Sequence, residues 1–311
     1  MTRQEEICDR MTGCLYGQAV GDALGLCSEF KSKQETAECF SPMLRYYSQF
    51  YPSGLGVWQD DDTKQMLCLL DELTANGRIE PESLAARLLN WLETDGFGCG
   101  NLVYQVLTHH DYLNRPFDVA KERWELSGRE AAPNGAIMRT SVIGLWREDV
   151  ENNAVAACKV THADPRCIGS SVIVSEVINN LVWHGRELPY DEIMRIADCY
   201  DLRIGEWISM AKNGTLDDLR LDEPHSIGYT LKTLACGLWC CWHSQSFEDG
   251  LLAVVNEGGD ADTNAAVACA ILGAKFGYHS IPPYYIENLY AEKEYRAKCE
   301  TFVRLAMGEG L

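Results

Sequence analysis

The sequence predicts an all-α protein that folds as one compact domain. Apolar residues recur at helical spacing through most of its 311 residues, and several segments carry helix-capping signals. No alternation of apolar and polar residues lasts for more than a few positions, so strand signals are weak. Hydrophobic residues make up 46% and charged residues 23% of the chain, which is ordinary for a globular protein. No low-complexity linker or fixed-period repeat divides the sequence, so we expect a single domain over residues 1–311.

The first predicted helix begins with a capping signal. Thr2 and Glu5 have the spacing of a capping box, in which the two side chains satisfy each other's backbone N–H groups. Apolar residues then follow at helical spacing from Ile7 to Leu15. Further helices are predicted over 62–73 before Gly77, from Pro81, from Pro165 behind Asp164, over 229–242, and over 263–276 before Gly277.

Four glycines recur at every fourth position within the first helix. Gly13, Gly17, Gly21 and Gly25 share one face, although each glycine costs about 1 kcal/mol relative to alanine inside a helix. One interpretation is close packing against another helix. The other is that the segment 21–25 lets the backbone approach a ligand. The residues alone leave both interpretations open.

The chain is strongly acidic, with 46 Asp and Glu against 27 Lys and Arg and a formal net charge of −19. Such a field repels polyanions and argues against general nucleic-acid binding, but it allows one phosphate-bearing ligand in a local pocket. Residues 1–10 have no signal-peptide pattern. The most apolar stretch, 231–242, is shorter than the ~20 residues of a membrane span. We therefore expect a cytoplasmic protein without membrane association.

The 14 cysteines form no C-x-x-C pair, and several lie in apolar runs, as Cys236 and Cys240 do. A disulfide scaffold is usually small and rich in loops, and this chain is neither. We expect buried thiols in a reducing compartment, and a zinc site is less favoured because no paired ligand spacing is present.

Carboxylates cluster at two places, each directly before an apolar helical segment. Adjacent carboxylates repel one another, so their clustering is costly unless a cation lies among them. Helix N-capping by Asp explains either cluster alone, but not two or three acids at each. Oxygen ligands in this number suit Mg²⁺, Mn²⁺ or Ca²⁺, and the two clusters together could form a two-metal centre. The clusters comprise Asp60, Asp61, Asp62 and Thr63, and Glu257, Asp260, Asp262 and Thr263.

Three further positions have both a structural and a functional interpretation. His162 lies in a turn before an apolar helix, where a lone histidine is most often structural. Glu29 is either a further acid of the same site or an ordinary surface residue. The pair His109–His110 lies in a polar stretch, and we predict that it is on the surface. The phosphate-loop, serine-hydrolase elbow and zincin motifs are absent from the sequence.

Six short motifs follow one another in order between residue 13 and about residue 280. They are Gly17-x-x-x-Gly21-Asp22-Ala23-Leu24-Gly25 with Glu29, Asp61-Asp62-Thr63, Asn134-Gly135-Ala136-Ile137-Met138-Arg139, Thr161-His162-x-Asp164-Pro165-Arg166, Ser226-Ile227-Gly228-Tyr229-Thr230, and Gly258-Gly259-Asp260-Ala261-Asp262-Thr263-Asn264. In this order they resemble the ADP-ribosylglycohydrolase family, which includes dinitrogenase-reductase-activating glycohydrolase and hydrolases of ADP-ribosylarginine and ADP-ribosylserine. The last motif is the most specific of the six.

The resemblance implies a compact all-α fold with two divalent cations, Mg²⁺ or Mn²⁺, at the bottom of a cleft. It implies hydrolysis of the glycosidic bond between ADP-ribose and a modified protein side chain, arginine being favoured over serine, with release of ADP-ribose. It implies catalytic roles for Glu29, Asp61 and Asp262. The implied metal ligands are Asp60, Asp61, Asp62, Asp260, Asp262 and Thr263. The implied substrate-binding residues are Asn134, Gly135, His162, Asp164, Ser226, Gly228 and Tyr229.

The chain departs from the family pattern at two points. Asp60 stands where Thr or Ser is usual, which leaves the register of the metal ligands open by one residue. The loop 131–133 replaces a Gly-Ser-x-Gly form that contacts phosphates in some members, which leaves the acceptor preference open. Two alternatives stand beside the hydrolase: a catalytically silent ADP-ribose-binding or scaffold member, and a metal-dependent phosphohydrolase that would release phosphate or AMP.

Overall fold

Fifteen α-helices account for most of the described chain, which comprises residues 1–40 and 60–308 of the computed structural model. Within these residues the β-structure is limited to an isolated antiparallel bridge between Pro133 and Tyr229, so the predicted all-α class is confirmed. The helices are α1 (Arg3–Gly25), α2 (Lys33–Phe40), α3 (Asp61–Asn76), α4 (Pro81–Thr94), α5 (Asn101–Leu107), α6 (Pro116–Leu126), α7 (Val150–Lys159), α8 (Pro165–Asn179), α9 (Tyr190–Tyr200), α10 (Leu202–Asn213), α11 (Thr230–His243), α12 (Phe247–Val255), α13 (Ala261–Phe276), α14 (Pro283–Glu287) and α15 (Glu292–Ala306).

Two helices begin at the capping signals found in the sequence. At the start of α1 the Glu5 N–H donates to the Thr2 hydroxyl (3.3 Å), and the Thr2 N–H donates to the Glu5 carboxylate (2.7 Å). At the start of α8 the Asp164 carboxylate accepts a hydrogen bond from the Arg166 N–H (2.9 Å), with Pro165 at the first helical position. Each cap satisfies backbone donors that a helix start leaves unpaired.

The helices α3 and α13 begin one and two residues earlier than the sequence predicts. Asp61 and Asp262 therefore belong to first helical turns and not to the preceding loops, whereas Asp62 lies in α3 as predicted. Carboxylates are stabilised there by the free N–H groups and the positive end of the helix dipole. Both acid clusters thus lie at helix N-termini, where the helix dipole favours negative charge.

The glycine face of α1 packs directly on the backbone of α13. A Cβ atom added to Gly17 would lie 2.1 Å from the carbonyl oxygen of Cys269, and one added to Gly21 would lie 2.2 Å from that of Ala265. Gly13 and Gly25 meet the backbone of the same helix at 2.4 Å. The close-packing interpretation is confirmed, because the segment 21–25 lies directly against the backbone of α13. This packing sets the position of the first turn of α13, which carries Asp262.

Among the described residues the cysteines form no disulfide, and most of them are buried. Among the described residues, no cluster with metal-binding geometry contains a cysteine. No helix within the described ranges is long and apolar enough to span a bilayer.

Candidate active site

The first turns of α3 and α13 meet at one cavity of about 290 Å³. Asp60 and Asp61 line it from one side, and Asp260, Asp262 and Thr263 line it from the other. Asp62 lies beneath this lining, fully buried, and its carboxylate accepts a hydrogen bond from the Thr263 hydroxyl (3.4 Å). The two acid clusters predicted from the sequence therefore form one site. Glu257 lies apart from the cavity and pairs with Lys33 at 2.5 Å.

Asp22, which the sequence analysis did not single out as a site residue, holds the acidic turn of α3 in place. Its fully buried carboxylate accepts hydrogen bonds from the backbone N–H groups of Asp60 (2.9 Å) and Thr63 (3.0 Å), and from the Thr63 hydroxyl. Burial, followed by the nearby Asp60, raises the pKa of Asp22 to about 7. The signal that could have identified it is an aspartate between two glycines of the buried C-terminal half of α1.

Glu29 belongs to the site. Its neighbour Phe30 donates a backbone hydrogen bond to Gly259 (2.6 Å), and Gly259 donates one to Lys31 (2.7 Å), which fastens this turn to the loop before α13. Carboxylate oxygens of Glu29, Asp60 and Asp262 then lie within 4.8 Å of one another. Burial, followed by the charge of Asp60, raises the pKa of Glu29 to about 8.

The electrostatics of the cluster fit divalent cations. Burial and mutual repulsion raise the pKa of Asp61, Asp62 and Asp262 well above the ordinary value for aspartate. Oδ1 of Asp62 and Oδ1 of Asp262 are buried and have no hydrogen-bond partner among the described residues. An unpaired buried carboxylate oxygen is costly, and a hard cation with oxygen ligands removes that cost. The donor set therefore fits Mg²⁺, Mn²⁺ or Ca²⁺.

A second wall of the cavity is built by two paired segments. The Asn134 N–H donates to Gly228 (2.9 Å), and the Thr230 N–H donates to Ala132 (3.1 Å). The Asn134 side-chain amide donates to the carboxylate of Asp260 and to the Thr233 hydroxyl (3.0 Å). Asn134 thus connects this wall to the acid cluster.

His162 faces the cavity beside Gly135. A Cβ atom on Gly135 would lie 3.2 Å from Cε1 of His162, so the glycine leaves the imidazole edge accessible to a ligand. Burial, followed by the charge of Arg139, lowers the pKa of His162 to about 3, so the ring is neutral. Nε2 of His162 is buried and has no partner among the described residues.

Three predicted substrate-binding residues do not line this cavity. Ser226 and Tyr229 line an adjoining depression of about 470 Å³, which shares Gly228 with the cavity. Asp164 is fully engaged elsewhere, because its oxygens accept hydrogen bonds from Arg166 (2.8 and 2.9 Å) and from the Trp124 indole (2.9 Å). Its position indicates a helix cap that also fixes Arg166, whose guanidinium reaches the Tyr229 hydroxyl at 3.3 Å.

A loop before α5 also contributes to the site. Gly98 has φ +78°, and a Cβ atom there would lie 1.9 Å from Oδ1 of Asp60, so a side chain would displace the acid. No residue pattern in the sequence marked this loop. His110, by contrast, is exposed as predicted, and its ring stacks on His109 at 4.4 Å, away from the cavity.

Comparison with known proteins decides the family. The family model for ADP-ribosylglycohydrolases matches residues 3–309. The chain belongs to the ADP-ribosylglycohydrolase family. The resemblance drawn from the six motifs is thereby confirmed.

Individual relatives carry two kinds of activity in their names. The chain is 24% identical to ADP-ribosylarginine hydrolase Tri1 of Serratia proteamaculans, over 98% of this chain and 82% of that protein. It is also 24% identical to the ADP-ribosyl-[dinitrogen reductase] glycohydrolase of Rhodospirillum rubrum, over 96% of this chain and 97% of that protein. A solved ADP-ribosylglycohydrolase-related protein matches with TM-score 0.71 and 25% identity, over 97% of this chain and 100% of that one. The protein is an ADP-ribosyl glycohydrolase by family and by fold.

Proposed function

We propose that this protein is a divalent-cation-dependent hydrolase that removes ADP-ribose from arginine side chains of proteins. The observation that carries the proposal is the buried acid cluster, in which Asp62 and Asp262 each present a carboxylate oxygen without a partner among the described residues. A catalytically silent relative has no need to keep such costly charges together. The acids instead suit a reaction that uses them.

The reaction breaks the bond between C1″ of the ribose and a guanidinium nitrogen. Water adds its oxygen to C1″, and the nitrogen leaves with a proton, through an oxocarbenium-like transition state. Mg²⁺ or Mn²⁺ would supply Lewis-acid chemistry to this reaction. The residues that would hold it are Asp60, Asp61, Asp62, Asp260, Asp262 and Thr263.

Glu29 is suited to move the proton. Its carboxylate oxygen lies within 4.8 Å of those of Asp60 and Asp262, at the side of the proposed cation site. We assign Glu29 the role of general base for the water, with Asp61 and Asp262 orienting the reacting ribose. On the opposite wall, His162, Asn134 and Gly135 bind the ADP-ribose, and Tyr229 offers an aromatic face beyond Gly228 for the adenine.

Two features support an arginine acceptor. The acidic cavity attracts a guanidinium cation, whereas a serine ether carries no charge. Phe30 lies at the cavity and is 69% exposed. A guanidinium binds favourably over an aromatic face. The relationship to the ADP-ribosylarginine hydrolase Tri1 is in line with this choice.

Cysteines without disulfide bonds among the described residues suit a reducing compartment, and we propose a cytoplasmic location on that basis. ADP-ribosylated cytoplasmic proteins would then be the substrates. Fractionation of cells that produce the tagged protein tests the location, and recovery from an oxidising compartment would contradict it.

A product assay tests the proposed activity. The purified protein is incubated with peptides carrying arginine-linked or serine-linked ADP-ribose, in Mg²⁺, in Mn²⁺ and in EDTA. We expect free ADP-ribose from the arginine-linked peptide, only with a metal present. Faster release from the serine-linked peptide would overturn the assignment of arginine as the acceptor. AMP as the product would indicate a phosphohydrolase. Binding of ADP-ribose without release from either peptide would indicate a silent member.

A further inference from the structure

Arg139, the last residue of the third motif, is completely buried between Gln65 of α3 and Thr161. Its hydrogen-bond partners are neutral: the side-chain amide of Gln65 (2.7 Å), the carbonyl of Ala157 (3.1 Å) and the hydroxyl of Thr161 (2.6 Å). A buried guanidinium without a direct carboxylate partner is costly. Because Arg139 lies between two groups of functional residues, we expect its burial to serve their positioning.

On one side Arg139 reaches the acid cluster through Gln65. Arginine only donates hydrogen bonds, so the Gln65 oxygen accepts from it, and this fixes the orientation of the amide. The Gln65 nitrogen then points at Asp61 and donates to Oδ2 at 2.8 Å. One carboxylate oxygen of Asp61 is thereby engaged, and the other is left to face the cavity.

On the other side Arg139 reaches His162 through Thr161. The Thr161 oxygen accepts from Arg139 and lies 2.8 Å from Nδ1 of His162. The Thr161 hydroxyl proton has this ring nitrogen as its acceptor, because the arginine can accept nothing. Nδ1 is then the unprotonated nitrogen, and Nε2 carries the hydrogen into the cavity.

We propose that Arg139 is a positioning residue that acts on both walls at once: through Gln65 it orients Asp61, and through Thr161 it fixes the tautomer in which His162 presents an Nε2–H donor to the ligand. The inference rests on the proposed function for the identity of that ligand, ADP-ribose, whose hydroxyl and phosphate oxygens are acceptors. The tautomer itself is a property of the protein alone.

Nitrogen NMR of the histidine rings tests the tautomer without any ligand. The resonances of His162 are assigned by their loss in His162→Gln. We expect the Nε2–H form in the wild-type protein and a mixture of tautomers in Thr161→Val, which keeps the shape and removes the hydroxyl. An Nδ1–H form in the wild type, or an unchanged Nε2–H form in Thr161→Val, would overturn the relay through Thr161.

Binding measurements test the two arms separately. Calorimetry gives the Kd of Mn²⁺ for each variant, and the Kd of ADP-ribose at saturating Mn²⁺. We expect Thr161→Val to weaken ADP-ribose at least threefold with little change for Mn²⁺, and Gln65→Met to weaken Mn²⁺ at least threefold. Arg139→Lys keeps the positive charge but loses the planar guanidinium that donates to both Gln65 and Thr161, so it should weaken the binding of both Mn²⁺ and ADP-ribose. Equal effects of these changes on both ligands would contradict the assignment.

Thr140→Val is the matched control. The Thr140 hydroxyl is equally buried and bonds to Ser175 at 3.0 Å, without contact to the cavity. It should lower the Tm as Thr161→Val does and leave both Kd values unchanged. If the two variants behave alike in binding, the role of Thr161 is merely structural and the inference fails. Should Arg139→Lys not fold, the other variants still decide it, and absence of ADP-ribose binding by the wild type would count against the proposed function alone.

Discussion

Substitution of Gly21 by alanine tests the packing that positions the site. The added Cβ atom would lie 2.2 Å from the carbonyl oxygen of Ala265, 2.5 Å from its carbonyl carbon and 3.0 Å from the nitrogen of Ala266. Ordinary contact begins at 3.4 Å, so the first atom is more than 1 Å too close. All three atoms are backbone, and no side-chain rotation relieves the overlap. The helices α1 and α13 would have to separate.

The size of the effect follows from two opposing terms. Alanine gains about 1 kcal/mol over glycine in helix propensity. Overpacking typically costs about 1–3 kcal/mol and occasionally more, and a backbone collision lies at or beyond the upper end of that range. We therefore expect a net loss of about 2 kcal/mol in the free energy of unfolding, with a Tm lowered by several degrees.

Gly205→Ala is the matched control for this measurement. Gly205 is buried in α10, but the nearest atom to an added Cβ is the terminal methyl of Met194, at 3.0 Å, which can move. This variant should be neutral or up to about 1 kcal/mol more stable. Urea unfolding and thermal denaturation of both variants give the comparison. If Gly21→Ala is as stable as Gly205→Ala, the account of the helix contact is refuted.

Three more predictions concern the acids and the cavity. Asp262→Asn should abolish release of ADP-ribose and remove most of the rise in Tm that Mn²⁺ gives the wild type; a variant with wild-type rate and thermal shift would contradict the metal assignment. In metal-free protein the pKa values of Glu29 (about 8) and Asp22 (about 7) lie above the ordinary values of 4.5 and 3.8. Between these values the folded state therefore binds more protons than the unfolded state. The resulting stabilisation is complete below pH 3.8, declines as the pH rises from there to about 8, and is lost above it, so the contribution of these acids to the Tm should decline over that range, and added Mn²⁺ should reverse the decline. Phe30→Ala should raise KM about 2- to 30-fold for an arginine-linked peptide, as expected for a cation–π contact of roughly 0.5–2 kcal/mol, while Phe30→Tyr should leave KM unchanged; an equal rise with a serine-linked peptide would refute the acceptor contact.

Local signals in the sequence predicted much of the fold. The capping box of Thr2 and Glu5 and the start of α8 behind Asp164 depend on bonds between near neighbours, so their spacing is sufficient evidence. The predicted starts of α3 and α13 are late because the apolar pattern begins only after the acids. In α3 the Asp61 and Thr63 N–H groups donate to Asp60 and Asp22, which extends the helix over the acids.

Long-range contacts account for what the sequence did not reveal. Asp22 meets the N–H groups of Asp60 and Thr63, about forty residues away along the chain, and no spacing rule connects them. Gly98 has no side chain and therefore leaves room for the Asp60 carboxylate, and no sequence pattern predicts this contact. The family resemblance predicts that Asp164 lies at the ligand. In the structure its carboxylate instead caps α8 and accepts a hydrogen bond from the Arg166 side chain.

Titration of metal-stripped protein with Mn²⁺ tests the central claim most directly. Bound Mn²⁺ is counted by electron paramagnetic resonance, and release of ADP-ribose from an arginine-linked peptide is measured at each point. We expect no release of ADP-ribose without metal, and a rate of release that reaches its plateau at two bound Mn²⁺ per chain. Release that continues unchanged in EDTA, or two bound ions without any release, would contradict it.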